Sequence, residues 1–152
     1  LHNISQNLSH FGFSLLILSI LFNNIFSGEV ITNLKVGETF KNENFEIQFN
    51  DLKKFEEKNY LSFKGYFLVK EKSNYEKLEP ELRIYNQPNI VTSEADIKTT
   101  FLSDKFITMN TVQNEEYFNI RYQVKPFMLW IWISVLLISF GGIISLFKRQ
   151  SL

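Results

Sequence analysis

The sequence contains no cysteine, and it has only three prolines, six glycines and two histidines among its 152 residues. Without cysteine, the chain has no disulfide, no thiolate nucleophile and no cysteine-ligated metal site. Both histidines lie within the first ten residues, so we expect no Ser–His–Asp catalytic set. No glycine-rich phosphate loop and no metal-ligand cluster is recognisable either. These common types of enzyme site are therefore not expected.

Charge is missing from long stretches at both ends of the chain. All 16 acidic residues lie between Glu29 and Glu116, and 14 of the 16 basic residues lie between Lys35 and Lys125. The segment between the apolar ends is therefore polar, faces water and is slightly acidic. A segment without a basic field is not expected to bind nucleic acid. The apolar ends indicate a lipid bilayer as a partner.

The carboxy-terminal apolar run predicts a transmembrane helix over residues 126–147. From Phe127 to Phe147 there is no charge, and a helix of that length is roughly 31 Å long, enough to cross the bilayer core. Pro126 is tolerated in a first helical turn. Two tryptophans suit the membrane boundary near the start, and two basic residues mark the cytoplasmic end: Trp130, Trp132, Lys148 and Arg149. Residues 148–152 are then a cytoplasmic tail.

A second apolar run extends from Leu8 to Phe26. We interpret residues 1–27 as a transmembrane helix with a preceding segment, antiparallel to the last helix, so that both chain ends are cytoplasmic. A cleaved signal peptide is the alternative, but it needs a basic amino-terminal region, which residues 1–7 lack. Cleavage near Ser27 would leave a receptor fragment with one carboxy-terminal anchor. Because the chain begins with Leu, we expect it to be part of a longer polypeptide.

His10 is the only ionisable residue inside the first apolar run. A titratable side chain in a bilayer is a functional-site hypothesis, and here it is either a metal or haem-iron ligand or an interfacial histidine that bonds to a neighbouring helix. His2 lies about 12 Å and 80° away along a helix, so it is not the second ligand of the same iron. That ligand must come from another helix. Ser14 shares the His10 face, whereas Gly12 points nearly opposite and suits close helix packing.

The segment from residue 28 to residue 125 alternates between apolar and polar residues. Four runs have this period of two, which is typical of strands with one buried face: Phe45-Ile47-Phe49, Leu61-Phe63, Tyr66-Leu68 and Phe118-Ile120-Tyr122-Val124. Turns are expected at Asn50-Asp51, Lys72-Ser73-Asn74 and Gln113-Asn114-Glu115. The fold class is therefore an α+β membrane protein, in which two antiparallel transmembrane helices flank an extracytoplasmic antiparallel β-rich domain, either a sandwich or a partly open barrel.

A charged stretch containing Glu81, Arg83, Tyr85 and Glu94 is predicted to be an irregular loop, because Pro80 and Pro88 favour loop or edge geometry. Arg83 is expected to form a local ion pair with Glu81 or Glu94. Glu79 and Glu81 are a less favoured acid–base pair, since a solvated charged loop is commoner. We interpret these residues as a docking or structural loop.

Six short motifs together resemble the carboxy-terminal part of the CcmF/NrfE/CycK family of haem lyases. They occur in the family order as His10-Phe11-Gly12, Asn59-Tyr60, Pro80-Glu81-Leu82-Arg83-Ile84-Tyr85, Thr92-Ser93-Glu94-Ala95-Asp96-Ile97, Asp104-Lys105-Phe106-Ile107, and Arg121 with Pro126, Trp130, Ile131 and Trp132. Gly141-Gly142 and Lys148-Arg149 follow. The motifs depart from the family pattern where Glu57-Lys58 replace Gly-Pro and Leu82 replaces Lys.

The resemblance implies a role in cytochrome c maturation. The family attaches haem to apocytochrome c on the periplasmic side of the bacterial inner membrane, or on the equivalent side in some mitochondria, by adding cysteine thiols to the haem vinyl groups. It also holds a haem b between two helical histidines, and His10 matches the second of these ligands. The implied partners are haem, apocytochrome c, the haem chaperone CcmE and a CcmH-type thiol oxidoreductase.

The tryptophan-rich haem-presenting segment, its two flanking histidines and the first membrane histidine of the family are not in this sequence. The resemblance therefore places them upstream of Leu1 and implies a fragment of a lyase rather than a complete enzyme. The alternative is a non-catalytic, membrane-anchored β domain that docks apocytochrome, the haem chaperone or the thiol-reducing partner, with His10 incidental.

Overall fold

The computed structural model describes residues 2–71, 74–112 and 116–149, without the side chains of the outermost helical residues 2, 3, 148 and 149. In these ranges two helices enclose ten strands: α1 (His2–Phe26), β1 (Gly28–Leu34), β2 (Thr39–Lys41), β3 (Phe45–Glu56), β4 (Tyr60–Glu71), β5 (Asn74–Leu78), β6 (Glu81–Tyr85), β7 (Ile90–Glu94), β8 (Asp96–Thr99), β9 (Ser103–Thr111), β10 (Phe118–Pro126) and α2 (Met128–Arg149). The expected turns at Lys72-Ser73-Asn74 and Gln113-Asn114-Glu115 lie largely or wholly outside the described residues.

The chain divides into two compact units. The helical unit comprises the described residues of 1–28, 99–104 and 124–152, and the β unit comprises those of 29–98 and 105–123. The β unit is built from a four-stranded sheet in the order β1-β10-β9-β8 and a six-stranded sheet in the order β2-β3-β4-β6-β7, in which β5 also pairs with β4. The pairs of the six-stranded sheet are antiparallel. The predicted fold class is confirmed, with a sandwich as the β domain.

The core of the β unit lies between the two sheets. Phe49 stacks on Phe67 with ring centroids 4.3 Å apart, and it meets Phe118 of the opposite sheet edge-on at 5.7 Å. Phe45 meets Tyr122 at 5.1 Å. Aliphatic side chains fill the rest of this core: Leu34, Ile47, Val69, Leu78, Leu82, Ile107, Met109 and Ile120. The predicted alternation in β3 and β10 is therefore confirmed at its central positions.

Strand β4 organises the six-stranded sheet. Along one edge it pairs with β3, and along the other it pairs first with β6 and then with β5. Gly65 lies at the change between these partners, where its N–H donates to the Pro80 carbonyl at 2.9 Å. Since the side chains of β4 are apolar on both faces here, the predicted Tyr66-Leu68 alternation selected the wrong face, and Phe67 and Val69 are the buried pair.

Two predicted irregular segments are regular strand in the structure. Asn50-Asp51 does not form a turn but interrupts the register of β3 as a bulge between Phe49 and Asp51. Residues 81–85 and 90–94 are not loops but strands β6 and β7, and β6 lies inside the sheet between β4 and β7. The two prolines themselves lie in connections, because Pro80 joins β5 to β6 and Pro88 lies in the turn before β7. Long-range pairing with β4 therefore outweighed the local proline signal.

The helical unit contains the junction between β10 and α2. Pro126 is the last residue of β10 rather than part of the first helical turn, and α2 begins at Met128. Between them Phe127 has a positive φ of 60°, which is unfavourable for a bulky side chain. Its N–H donates to the Leu102 carbonyl at 2.8 Å, and its ring lies 5.1 Å from Phe22 of α1. Asn23 also fixes this corner, donating from Nδ2 to the Pro126 carbonyl at 2.6 Å.

Candidate functional site

Helices α1 and α2 pack antiparallel along a seam of small residues. Ser5, Gly12 and Ser19 recur every seven residues on α1 and are buried, as are Ser134 and Gly141 on α2. Ser5 Oγ donates to the Gly141 carbonyl at 2.7 Å, which joins the start of α1 to the second half of α2. Small residues let two helix backbones approach closely in a membrane, where packing and hydrogen bonds replace the hydrophobic effect.

Gly12 lies at the close approach of the two helices. A Cβ atom at this position would lie 3.0 Å from Ile138 Cγ1 and 3.1 Å from Leu137 Cβ. The expectation that Gly12 serves close helix packing is therefore confirmed. Two residues along a helix is a rotation of about 200°, so the preceding His10 must point away from this contact.

His10 is exposed on the face of α1 opposite to the seam. Ser14, one turn on, shares this face and donates from Oγ to the His10 carbonyl at 2.9 Å. Within the described part of the chain, no residue hydrogen-bonds the His10 imidazole, and the residue is exposed. The side chain of His2 lies outside the described residues. The structure thus leaves His10 available to a group held beside α1, on the side away from α2.

The surroundings of His10 fit a haem. Large apolar side chains next to it on the same side of the helix are exposed: Phe13, Ile17 and Leu21. A neutral imidazole is a good axial ligand for haem iron. Elsewhere in the described ranges, no group of three or more His, Cys, Asp or Glu side chains is arranged to hold a metal ion. His10 is therefore the described residue on this face that would hold the iron of a haem bound beside α1.

A second candidate site lies on the outer face of the six-stranded sheet, where β6 pairs with β4. Glu81, Arg83 and Tyr85 lie on this face of β6, with Arg83 opposite Ser62 and Tyr85 opposite Tyr60. Arg83 Nη2 donates to Glu81 Oε2 at 2.8 Å, and Ser62 Oγ donates to the other carboxylate oxygen. We call this group the β4–β6 cluster. The expected ion pair of Arg83 is therefore made with Glu81.

Aromatic rings complete the β4–β6 cluster. The Arg83 guanidinium lies 5.1 Å from the centre of the Tyr60 ring, and the Tyr60 and Tyr85 rings are 5.2 Å apart. The hydrogen bond that Arg83 donates to Glu81 holds the pKa of the Glu81 carboxyl below its usual value, although burial acts in the opposite direction. Glu94, at the end of β7, lies directly opposite Glu81 in the register of β6 and β7, and its carboxylate accepts from Thr92 Oγ1 at 3.2 Å rather than from Arg83. The residues of the predicted docking or structural loop therefore lie on strands β6 and β7, and Glu94 is placed opposite the cluster residue Glu81.

Sequence reasoning missed Ser62 and the pairing of Tyr60 with Tyr85. Tyr60 and Tyr85 belong to two motifs that are 25 positions apart in the sequence, and only the register of β4 and β6 brings them together. In the sequence, each tyrosine was recognisable only as a member of its own motif. Their spacing could not reveal contact because β5 intervenes between the two strands.

A buried lysine forms another cluster that the sequence did not indicate. Lys105 Nζ donates to Glu71 and, at 3.0 Å, to Glu76 Oε1. Burial lowers the pKa of Lys105, but the two carboxylates raise it by more, so that the lysine stays charged. Burial also disfavours the charged form of the nearby Tyr122, and it therefore raises the pKa of the Tyr122 hydroxyl. We assign this cluster a structural role, since a buried charge is stable only when it is paired.

Comparison with known proteins identifies the family. The family model described as the CcmF C-terminal beta-sandwich matches residues 25–126, from the end of α1 to the end of β10. The chain belongs to the CcmF family. His10 and α2 lie outside the range of this model, but the matches to whole relatives include them.

The CcmF relatives match nearly the whole chain. The cytochrome c-type biogenesis protein CcmF of Pseudomonas fluorescens is 28% identical over 146 residues, which cover 95% of this chain and 22% of the relative. The CcmF of Escherichia coli is 26% identical over 143 residues, which cover 93% and 22%. The cytochrome c-type biogenesis protein ccl1 of Rhodobacter capsulatus is 41% identical over a shorter region of 73 residues, which cover 48% and 11%.

A solved CcmF structure has the same fold. The structure titled cytochrome c heme lyase CcmF matches with a TM-score of 0.69 and 17% identity, over 92% of this chain and 24% of that one. The chain therefore spans about a fifth of the length of its full CcmF relatives. Two of its helical segments are long and apolar enough to cross a bilayer, Ile4–Phe26 and Met128–Phe147. Together with the family, they identify a membrane protein.

Proposed function

We propose that this chain is the haem-iron-binding carboxy-terminal part of a cytochrome c-type biogenesis protein that attaches haem to apocytochrome c. The relatives are cytochrome c-type biogenesis proteins, and the solved relative is titled a haem lyase. The β unit lies on the outer side of a bacterial inner membrane in this proposal, with both helices crossing the membrane. The chain supplies a part of the lyase, and the remaining length of the protein supplies the rest.

The position of His10 carries the proposal. Its imidazole lies on the face of α1 opposite to the Gly12 contact with α2, and no described residue occupies it. A helix outside these 152 residues can therefore approach this face and contribute a second axial histidine. The bound group in this proposal is a haem b that His10 would hold, and in its reduced state it would supply an electron for reduction of the iron in the haem that is being attached. The role of His10 is to ligate and orient that haem.

The deciding experiment is a reduced-minus-oxidised visible spectrum of the purified full-length protein, comparing wild type, His10→Ala and Ser14→Ala. We expect His10→Ala to lose the b-type spectrum and haem attachment, because one axial ligand is gone. Ser14→Ala is the matched control, since it removes a side chain from the same face but no iron ligand. It should keep the spectrum. An unchanged spectrum and a normal cytochrome c yield in His10→Ala would contradict the proposal.

A second candidate function is docking of a protein partner on the β unit. The β4–β6 cluster supports it, because Tyr60, Arg83 and Tyr85 present aromatic rings and a guanidinium on the outer face of the sheet. Tyrosine and arginine are enriched at the centres of protein interfaces. The proposed partners are apocytochrome c, the haem chaperone CcmE and a CcmH-type thiol oxidoreductase. An Arg83→Ala variant that keeps its haem spectrum but loses co-purification with one of them would support this function.

A further inference from the structure

The turn between β8 and β9 exposes two large apolar side chains. Thr100 N donates to the Ser103 carbonyl at 2.9 Å, and Thr100 Oγ1 accepts from Ser103 N at 3.1 Å, so the turn is tight. Phe101 and Leu102 at its tip are 62% and 59% exposed. Tight turns usually carry Gly, Pro, Asn, Asp or Ser at such positions, and exposed Phe and Leu gain nothing there in water.

This turn is attached to the first residues of helix α2. Phe127 N donates to the Leu102 carbonyl at 2.8 Å, and Trp130 Nε1 donates to the Phe101 carbonyl at 3.0 Å. The Phe101 and Trp130 rings also meet edge-on at 4.9 Å. The turn and the start of α2 belong to the same compact unit. The level of the turn along the helix axis is therefore fixed.

That level coincides with a boundary of the bilayer. The apolar part of α2, Met128–Phe147, has 20 residues. A helix of this length is about 30 Å long, which equals the thickness of the hydrocarbon layer, so Met128 lies at one boundary. Trp130 and the exposed Trp132 are of the type that forms an interfacial belt. Because Leu102 is hydrogen-bonded to the residue before Met128, the turn lies in the same layer.

We propose that the Phe101–Leu102 turn inserts into the lipid at the boundary between headgroups and acyl chains. The occupant of this surface is the bilayer itself, since the apolar tip continues the aromatic belt at the start of a spanning helix. The carbonyl groups of Phe101 and Leu102 stay satisfied there, because Trp130 and Phe127 donate to them. The turn thus anchors the β8–β9 connection at the membrane surface. The inference depends on α2 crossing a bilayer and not on haem binding.

The test is spin-label accessibility in the full-length protein, freed of any other cysteine and placed in nanodiscs of phosphatidylethanolamine and phosphatidylglycerol. A label on Leu102→Cys should collide frequently with oxygen, which concentrates in lipid, and rarely with the water-soluble complex Ni-EDDA. Phe101→Cys is an independent second position. The controls are Phe140→Cys, on the exposed face of α2, and Lys54→Cys, exposed in the β unit. We expect the labels at both turn positions to show the same preference for oxygen over Ni-EDDA as the Phe140→Cys label. Their oxygen-to-Ni-EDDA ratio should be smaller, because the turn lies nearer the headgroups.

Each other outcome overturns the proposal. High accessibility to Ni-EDDA at both turn positions would put the turn in water. Low accessibility to both reagents would mean that another part of the protein covers it. If the Phe140→Cys label is also Ni-EDDA-accessible, α2 does not cross the bilayer, and the membrane assignment fails together with the anchor. The visible spectrum is a separate readout, so failure of the anchor alone is distinguishable from failure of the haem proposal.

Discussion

Glu81 and Arg83 show how two neighbouring charges on a strand can be held partly away from water. Glu81 accepts hydrogen bonds from Arg83 and from Ser62, and the Tyr60 ring lies beside the guanidinium. Such a pair stabilises the fold more than a freely exposed ion pair does, because both carboxylate oxygens accept hydrogen bonds. Its pKa consequence is testable, since the hydrogen bond from Arg83 lowers the pKa of Glu81 in the folded state.

The first prediction concerns Glu81→Gln. A carboxyl whose pKa is lowered on folding adds stability above its unfolded pKa of about 4.5, and that stability is lost as the pH falls through the lower folded value. We expect the variant to lose about 1 kcal/mol of unfolding free energy near pH 7, and the difference from wild type to shrink below pH 4.5. Urea unfolding at several pH values measures it.

Glu56→Gln is the matched control, because Glu56 is an exposed strand carboxylate at the end of β3 and lies opposite the apolar Leu61. It should change stability little at any pH. Neither variant should alter the haem spectrum, because neither touches α1. A Glu81→Gln variant as stable as wild type at pH 7 would show that the cluster does not stabilise the fold, and a lost spectrum with a trypsin-resistant β unit would tie Glu81 to haem binding.

At the scale of elements, the two helices are held together by close contact rather than by large side chains. Gly141 is the tightest point of the seam, where a Cβ atom would lie 2.1 Å from Ser9 Oγ and 2.9 Å from the Ser5 carbonyl. The Ser5 contact is to backbone, so it cannot be relieved by a side-chain rotation. Gly142, the next residue, has no atom within 4 Å of its Cβ position. The two glycines therefore make a matched pair.

The second prediction is that Gly141→Ala destabilises the protein, whereas Gly142→Ala does not. Overpacking of this kind costs about 1–3 kcal/mol, because the backbones of α1 and α2 must separate. Thermal unfolding of the detergent-solubilised protein should show a lower midpoint for Gly141→Ala. Gly142→Ala should equal or slightly exceed wild type, since Ala favours a helix more than Gly does. Equal midpoints for the two variants would mean that the seam is looser than described.

At the scale of the whole molecule, an antiparallel pair of spanning helices puts both ends of the chain on one side of the membrane. Lys148 and Arg149 follow the apolar part of α2, and basic residues favour the cytoplasmic side. The β unit, which joins the other ends of the two helices in sequence, is then extracytoplasmic. This orientation is a proposal, as are the domain limits of residues 1–27, 28–125, 126–147 and 148–152 in a membrane.

The third prediction tests that orientation with a membrane-impermeant maleimide on intact spheroplasts. In a full-length protein freed of other cysteines, Lys54→Cys should react from outside, because its side chain is exposed in the β unit. Ser151→Cys should react only after the membrane is permeabilised. Reaction of Ser151→Cys but not of Lys54→Cys in intact spheroplasts would reverse the orientation, and reaction of both positions there would mean that α2 does not cross the membrane.

Much of this protein could be read from the sequence alone, because the deciding signals are local. The two uncharged runs fix the helices, and the helical period alone puts His10 and Gly12 on opposite faces. Alternation in β3 and β10 identified core residues such as Ile47 and Tyr122. The motifs of the family could likewise be recognised without coordinates, since each is a run of a few residues.

Only the tertiary structure decided which segments meet. Pro80 predicted a loop, but hydrogen bonding to β4 made residues 81–85 an inner strand and brought Arg83 over Tyr60. The run around Phe67 was apolar on both faces, so its buried face was settled by the opposite sheet. Local patterns encode periodicity and polarity, whereas strand pairing across tens of residues depends on register and on the shape of the opposing surface, neither of which has a local signal.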